Sequence, residues 1–455
     1  MERGRVPLRP TSDLFYNRGR LSGGVMTLLN LYSLAGCAVL LLLAWLTSTN
    51  RKNVPWRTIA SGCLALALLG AIIFWLPAFR QVLLVLNAAV NLTIAAAAEG
   101  ARFLFGPLAS STGEGSLGPI LAFQVLPAVV FFSVVTAWLY HVGFLPWLVR
   151  WTAVIVHRSF QLSGAEALST ASNAFLGVES TLVVRPFLAE MTRSELMMVL
   201  TAGLASIAST VLALYVTFLQ STFPYIAGHL ISASVLSIPS AVIISKTVVP
   251  EDDTPVTMGS VPASKTYVET RHWMGSIIWG ANEGVKLGVG IGALLIGMLG
   301  LVALLDLMLG GASSWVGSRL FSIDIRWTIQ SVLQVIAYPL ILCLGLAPSE
   351  WAAAAKLIGE RWVLTEVIAY QDLAALAASG QLSPRGLMVL SYALCGFTHV
   401  ASVAIFVGGT AALAPSRRDD LAALSWRSLW AATLATLLTG AVAGVFYYGQ
   451  EGLIR

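Results

Sequence analysis

Residues 164–186 read GAEALSTASNAFLGVESTLVVRP, a run too polar for a lipid-facing helix and too apolar for an ordinary loop. Irregular or polar backbone at membrane depth has to be buried in protein or face water. Gly177 near the middle and Pro186 at the end suit a helix that stops and turns back on itself. The stretch therefore predicts a re-entrant segment, and the chain around it has to supply the membrane fold that would bury it.

The flanking sequence does so. Hydrophobic residues make up 57% of the 455 and charged residues 11%, with a mean hydropathy of +0.80, against about 25% charged in soluble domains. Apolar runs that meet the length of about 20 residues needed to span a bilayer include Met26–Leu46, Thr58–Pro77, Val82–Ala98, Pro119–Leu145, Leu196–Leu219, Tyr225–Ser245, Gly275–Leu309, Leu387–Ala414 and Leu421–Tyr448. The expected fold is an all-α polytopic membrane protein. A cleaved leader is not expected, because a polar tail over residues 1–25 precedes a full-length span.

The net charge of +5 lies mostly in short loops, which points to lipid headgroups and not to nucleic acid. Arg51, Lys52 and Arg57 argue that the first loop is cytoplasmic, but Arg3, Arg5, Arg9, Arg18 and Arg20 argue the same for the tail. Charge alone leaves the orientation open. Cys37, Cys63, Cys343 and Cys395 stand singly in apolar runs, as small packing residues do. No HExxH, GxSxG or glycine-rich phosphate loop lies at a plausible membrane face, so an enzyme is not expected.

One polar gap, Pro250 to His272, suits a solvent-exposed connector between two membrane halves. The organisation expected is membrane helices and an interfacial helix over 26–160, the re-entrant segment and following helices over 161–249, a connector over 250–274 and a second half over 275–455. That half carries its own interruption from Ser331 to Pro348, with Pro339 and Gly345, followed by a segment containing Glu366. Paired interruptions point to a midplane binding site made by broken helices.

Two carboxylates stand in these regions, Glu179 and Glu366. An ionised group at the bilayer centre costs at least about 2.5 kcal/mol, which makes each a functional candidate. The plainer alternative is a cap, or a pairing with Arg185 or Arg361. Asn173 and Ser206 offer oxygen to a hard cation or serve only to join helices. His399 offers a bond to a sugar hydroxyl or a proton near neutral pH, or is simply a satisfied buried histidine.

The blocks NAFLGVESTLVVRPFLAEMTRSEL, TAGLASIASTVLALY, TEVIAYQDLA, YALCGF and GGTAALAPSRRDDLA resemble, in order and spacing, the concentrative nucleoside transporter family over most of the chain. The resemblance implies a homotrimer in a bacterial inner membrane. Each protomer would have about eight transmembrane helices and two re-entrant hairpins, divided into a scaffold and an elevator-type transport domain. It implies import of a nucleoside or a related ribosylated solute, coupled to Na⁺ or H⁺, with no organic cofactor. The hairpins would be Gly164–Pro186 and approximately Arg326–Pro348, and the Arg51 loop would face the cytoplasm.

By motif, the resemblance assigns substrate contacts to Gly177, Val178, Glu179, Val211, Glu366, Phe397, His399 and Ser402. It assigns Na⁺ to the side chains of Asn173 and Ser206 and the carbonyls of Leu176 and Ile207. The chain departs from the family at two places. GVEST stands where GQTEAP is usual, so Val178 brings no side-chain hydrogen bond to a base, and His399 stands where an asparagine is usual. The retained oxygen ligands favour Na⁺ over H⁺, and the altered hairpin leaves a non-transporting sensor as the alternative to a symporter.

Overall fold

The computed structural model describes residues 28–110, 120–177, 180–262, 272–320 and 327–449, without the side chains of 312 and 315–320. Eight of the described helices are long and apolar enough to cross a membrane, and no strand occurs among the described residues. The arginine-rich tail, Val178, Glu179 and Arg326 lie outside them.

Chain order begins with α1 (Leu28–Leu46), α2 (Trp56–Trp75), α3 (Pro77–Phe105) and α4 (Leu126–His141). The helix α5 (Phe144–Phe160) buries Leu145, Val149, Ala153, Val156 and Phe160 on one face and leaves Trp147 and Trp151 exposed. A helix with this spacing and exposed tryptophans suits the membrane interface.

Next come α6 (Gly164–Leu176), α7 (Ser180–Val184), α8 (Arg193–Ala205), α9 (Ser209–Leu219) and α10 (Ile226–Val248). The second half holds α11 (Trp273–Leu320), α12 (Ile329–Ile341), α13 (Trp351–Leu364), α14 (Glu366–Ala378), α15 (Pro384–Ala393), α16 (Val400–Leu413) and α17 (Arg418–Phe446).

Burial separates an inner group from an outer one. In the most apolar stretch of α8–α9, 94% of residues are buried, and the corresponding share is 89% on the span containing α17 and 83% on α10. It falls to 11% on the α11 span and 17% on the α3 span. The inner helices are rich in Ala, Gly, Ser and Thr, which let backbones approach closely. α11 has 48 residues, about 72 Å of helix, and packs along α4.

Two expected spans are broken. Leu196–Leu219 is interrupted where Ser206 and Ala208 take extended backbone. Leu387–Ala414 is interrupted between Ala393 and Val400, with His399 extended. Hydropathy misses both interruptions, because the residues around them, His399 and its threonine neighbour apart, stay apolar or small.

The second hairpin also needs correction. Residues 329–348 form α12 and a turn closed by Gly345 at φ 66°, and α12 packs against α13. The sharp reversal that presents Glu366 lies further on, at Thr365, between α13 and α14. The proline and glycine signals mark the turn into this excursion and not its tip.

The polar connector is partly anchored. Thr257 accepts from Gly164 N through its carbonyl and from Ala165 N through its hydroxyl, both at 3.0 Å. Asn53 Nδ2 donates to Asp252 Oδ1 at 2.9 Å, which places the Arg51 loop and the connector at one end of the bundle.

Candidate substrate and cation site

Four backbone breaks meet near one cavity of about 220 Å³. At the tip after α6, Gly177 has φ 64° and ψ −131°, and a Cβ there would lie 2.5 Å from Ala208 Cβ. Only glycine fits this positive φ and close approach. Ala208 lines the cavity with Thr210 and Val211 of α9, Thr365 and Glu366 at the second break, and Phe397, His399 and Ser402 before and within α16. Leu287, Gly290 and Ile291 of α11 make an apolar wall. Val211, Glu366, Phe397, His399 and Ser402 thus line one cavity.

Glu366 opens α14, where the positive end of the helix favours a carboxylate. Its Oε1 accepts from Tyr215 Oη at 2.8 Å, and its Oε2 lies 2.8 Å from His399 Nε2. Arg361 is not its partner. That guanidinium is fully buried and donates instead to Ala393 O at 2.6 Å and Thr436 Oγ1 at 3.3 Å, holding the end of α15.

His399 caps α16: its Nδ1 accepts from Ser402 N at 3.1 Å. A backbone N–H can only donate, so Nδ1 carries the lone pair and Nε2 the proton in the neutral ring. Nε2 faces Ser402 Oγ at 2.7 Å and Glu366 Oε2. The arrangement presents a donor, a hydroxyl and a carboxylate to one solute, a combination suited to neighbouring hydroxyl groups.

Beside this cavity is a cluster of oxygens. Asn173 Nδ2 donates to Ser169 O at 3.1 Å, which directs Oδ1 to the Ser180 hydroxyl at 2.6 Å. Ser206 Oγ has two carbonyls within donating reach, Ala202 O at 2.9 Å and Asn173 O at 3.2 Å. Leu176 and Ile207 stand at the carboxyl ends of α6 and α8, where carbonyls lack helical partners and the dipole is negative. No hydrogen bond reaches either carbonyl among the described residues. An all-oxygen donor set fits a hard cation such as Na⁺.

Residues 35–108 match the family profile described as Na⁺ dependent nucleoside transporter N-terminus, 122–222 the profile for nucleoside recognition, and 229–444 the Na⁺ dependent nucleoside transporter C-terminus. An uncharacterized transporter of Bacillus subtilis, YutK, is 32% identical over 91% of this chain and 99% of its own length. The nucleoside permease NupC of Helicobacter pylori is 30% identical over 92% of this chain and 98% of its own.

The chain belongs to the concentrative nucleoside transporter family.

As a member of that family it is a multi-pass, Na⁺-coupled secondary transporter and not an enzyme. A solved structure of the transporter CNTnw in an inward-facing substrate-bound state superposes with a TM-score of 0.83 at 34% identity, covering 92% of this chain and 98% of that one. Within this fold, sequence reasoning missed Tyr215, Thr210, Thr365 and Ser180. Tyr215 follows Val211 by one helical turn, and that spacing was the available signal. It is also stacked on Tyr370 at 4.3 Å.

Proposed function

We propose that this transporter carries nucleosides, or closely related ribosylated solutes, inward across a bacterial inner membrane in symport with Na⁺. Glu366, His399 and Ser402 hold the sugar hydroxyls, Phe397 and Val211 wall the ring, and Gly177, Val178 and Glu179 close the site from the first hairpin. Asn173 and Ser206, with the carbonyls of Leu176 and Ile207, hold the ion, which supplies a positive charge to the carboxyl ends of α6 and α8. Holding it would order the first hairpin and prepare the solute contacts, so that the filled site moves as a unit against α11. The observation that carries this reading is the meeting of Glu366, His399 and Ser402 in one cavity, beside the oxygens of Asn173 and Ser206.

H⁺ coupling through His399 is less favoured, because a second ring proton would break the Nδ1 cap of α16. The low burial of α11 suits contact with lipid and with two further copies in a homotrimer. The test is uptake of a labelled nucleoside panel into proteoliposomes under an inward Na⁺ gradient, an inward H⁺ gradient or neither. Accumulation driven by Na⁺ alone, and abolished in Glu366→Gln, is expected. Binding without accumulation under either gradient would favour the sensor.

A further inference from the structure

Ser180 is completely buried and opens α7, across the first-hairpin bend from Asn173. Its hydroxyl donates to Asn173 Oδ1 at 2.6 Å, the side-chain oxygen the proposed cation site needs. Among the described residues no hydrogen bond is donated to Ser180 Oγ. A hydroxyl has one proton and two lone pairs, and here the proton is spent on Oδ1 while the lone pairs face away from it. Burial of a polar group without full pairing carries a cost, and a cation beside Oδ1 would use those lone pairs.

We propose that the Ser180 hydroxyl is a ligand of the coupling cation, exchanging its hydrogen bond to Asn173 Oδ1 for a place in that ion's oxygen shell. The inference rests on the reading of Asn173 and Ser206 as the Na⁺ site. The hydroxyl keeps its proton and turns it off Oδ1. Without the ion, the same hydroxyl satisfies Oδ1 and spares the buried amide an unpaired acceptor. Asn173, Ser206 and Ser180 then supply oxygens from α6, the break after α8 and the start of α7. Ser180 directly follows Glu179 in the sequence, so its engagement ties ion binding to the chain segment that carries that carboxylate.

The test is Na⁺-dependent thermal stabilisation of the purified full chain in detergent at constant ionic strength, which reads ion binding without transport. Ser180→Ala should raise the Na⁺ concentration for half-maximal stabilisation about 10-fold or more, the range over which supporting residues change metal affinity. Ser180→Cys keeps the volume but replaces a hard oxygen with soft sulfur, and it should weaken Na⁺ similarly if the alanine protein fails to fold. Unchanged or tighter Na⁺ binding in a folded Ser180 variant, with weakened binding in Asn173→Ala, would overturn the Ser180 assignment alone. Unchanged binding in Asn173→Ala would overturn the cation site itself, and the Ser180 role with it.

Discussion

The Tyr215 hydroxyl and the Glu366 carboxylate meet at 2.8 Å although 151 residues separate them in sequence. The bond joins α9 to the tip before α14, and it uses one carboxylate oxygen while leaving the other near His399. Tyr215 thereby positions the carboxylate proposed to hold the solute.

Tyr215→Phe should leave the fold intact, because the ring stays stacked on Tyr370. Oε1 of the buried carboxylate loses its donor, and hydrogen bonds to charged groups contribute about 1.5–3 kcal/mol. Nucleoside affinity in proteoliposomes should weaken by about 10-fold or more, and a wild-type half-saturation would remove Tyr215 from the site.

Replacing His399 separates its two tasks. His399→Asn retains a side-chain acceptor for Ser402 N and a donor for solute, so protein stability should change little. His399→Ala removes the cap at a cost of about 0.5–2 kcal/mol and also the donor beside Glu366. The alanine variant should lose both melting temperature and uptake, whereas the asparagine variant should stay near wild type in melting temperature and keep measurable uptake.

Thr365 has φ 114° and ψ 159°, a conformation held almost only by glycine and costing about 1–3 kcal/mol elsewhere. Among the described residues its buried hydroxyl has no hydrogen-bond partner, and it stands at the wall of the cavity. Thr365→Gly should therefore not lower the melting temperature while it reduces nucleoside affinity. A clear loss of stability would show that the strain is not relieved there.

Away from the cavity, Lys246 of α10 pairs with Glu166 at the start of α6 and with Glu251 at 3.3 Å. Ser163 Oγ adds a bond to Glu195 Oε1 at 2.5 Å, so the capping boxes of α6 and α8 are joined. Lys246→Met strands buried Glu166, and breaking a buried pair costs about 3–5 kcal/mol. Thermal unfolding in detergent should show a large drop, and surviving folded protein should keep its nucleoside preference.

Particular residues show what could be read beforehand. Glu366 stands out in an apolar run, Asn173 and Ser206 fall in motif blocks, and the hairpin at Gly177 follows from its polarity and its glycine. Glu166 and Glu195 lie in sequence patterns of capping, Ser163 to Glu166 and Thr192 to Glu195, yet the pairing of Glu166 with Lys246 and the bond from Ser163 to Glu195 are long-range. Val178 and Glu179, which the motif places at the solute, lie outside the described residues.

The sequence by itself determined the membrane class and the family, and it marked the break at Gly177, because hydropathy and motif spacing are local properties of the chain. Tertiary structure alone decided that α8–α9 and α15–α16 break in mid-span, that the second tip falls at Thr365, and that Tyr215 and Ser180 face Glu366 and Asn173. The reason is physical. A helix breaks without losing apolar character where neighbouring helices and buried hydroxyls take up its freed backbone groups, and those neighbours come from distant parts of the chain.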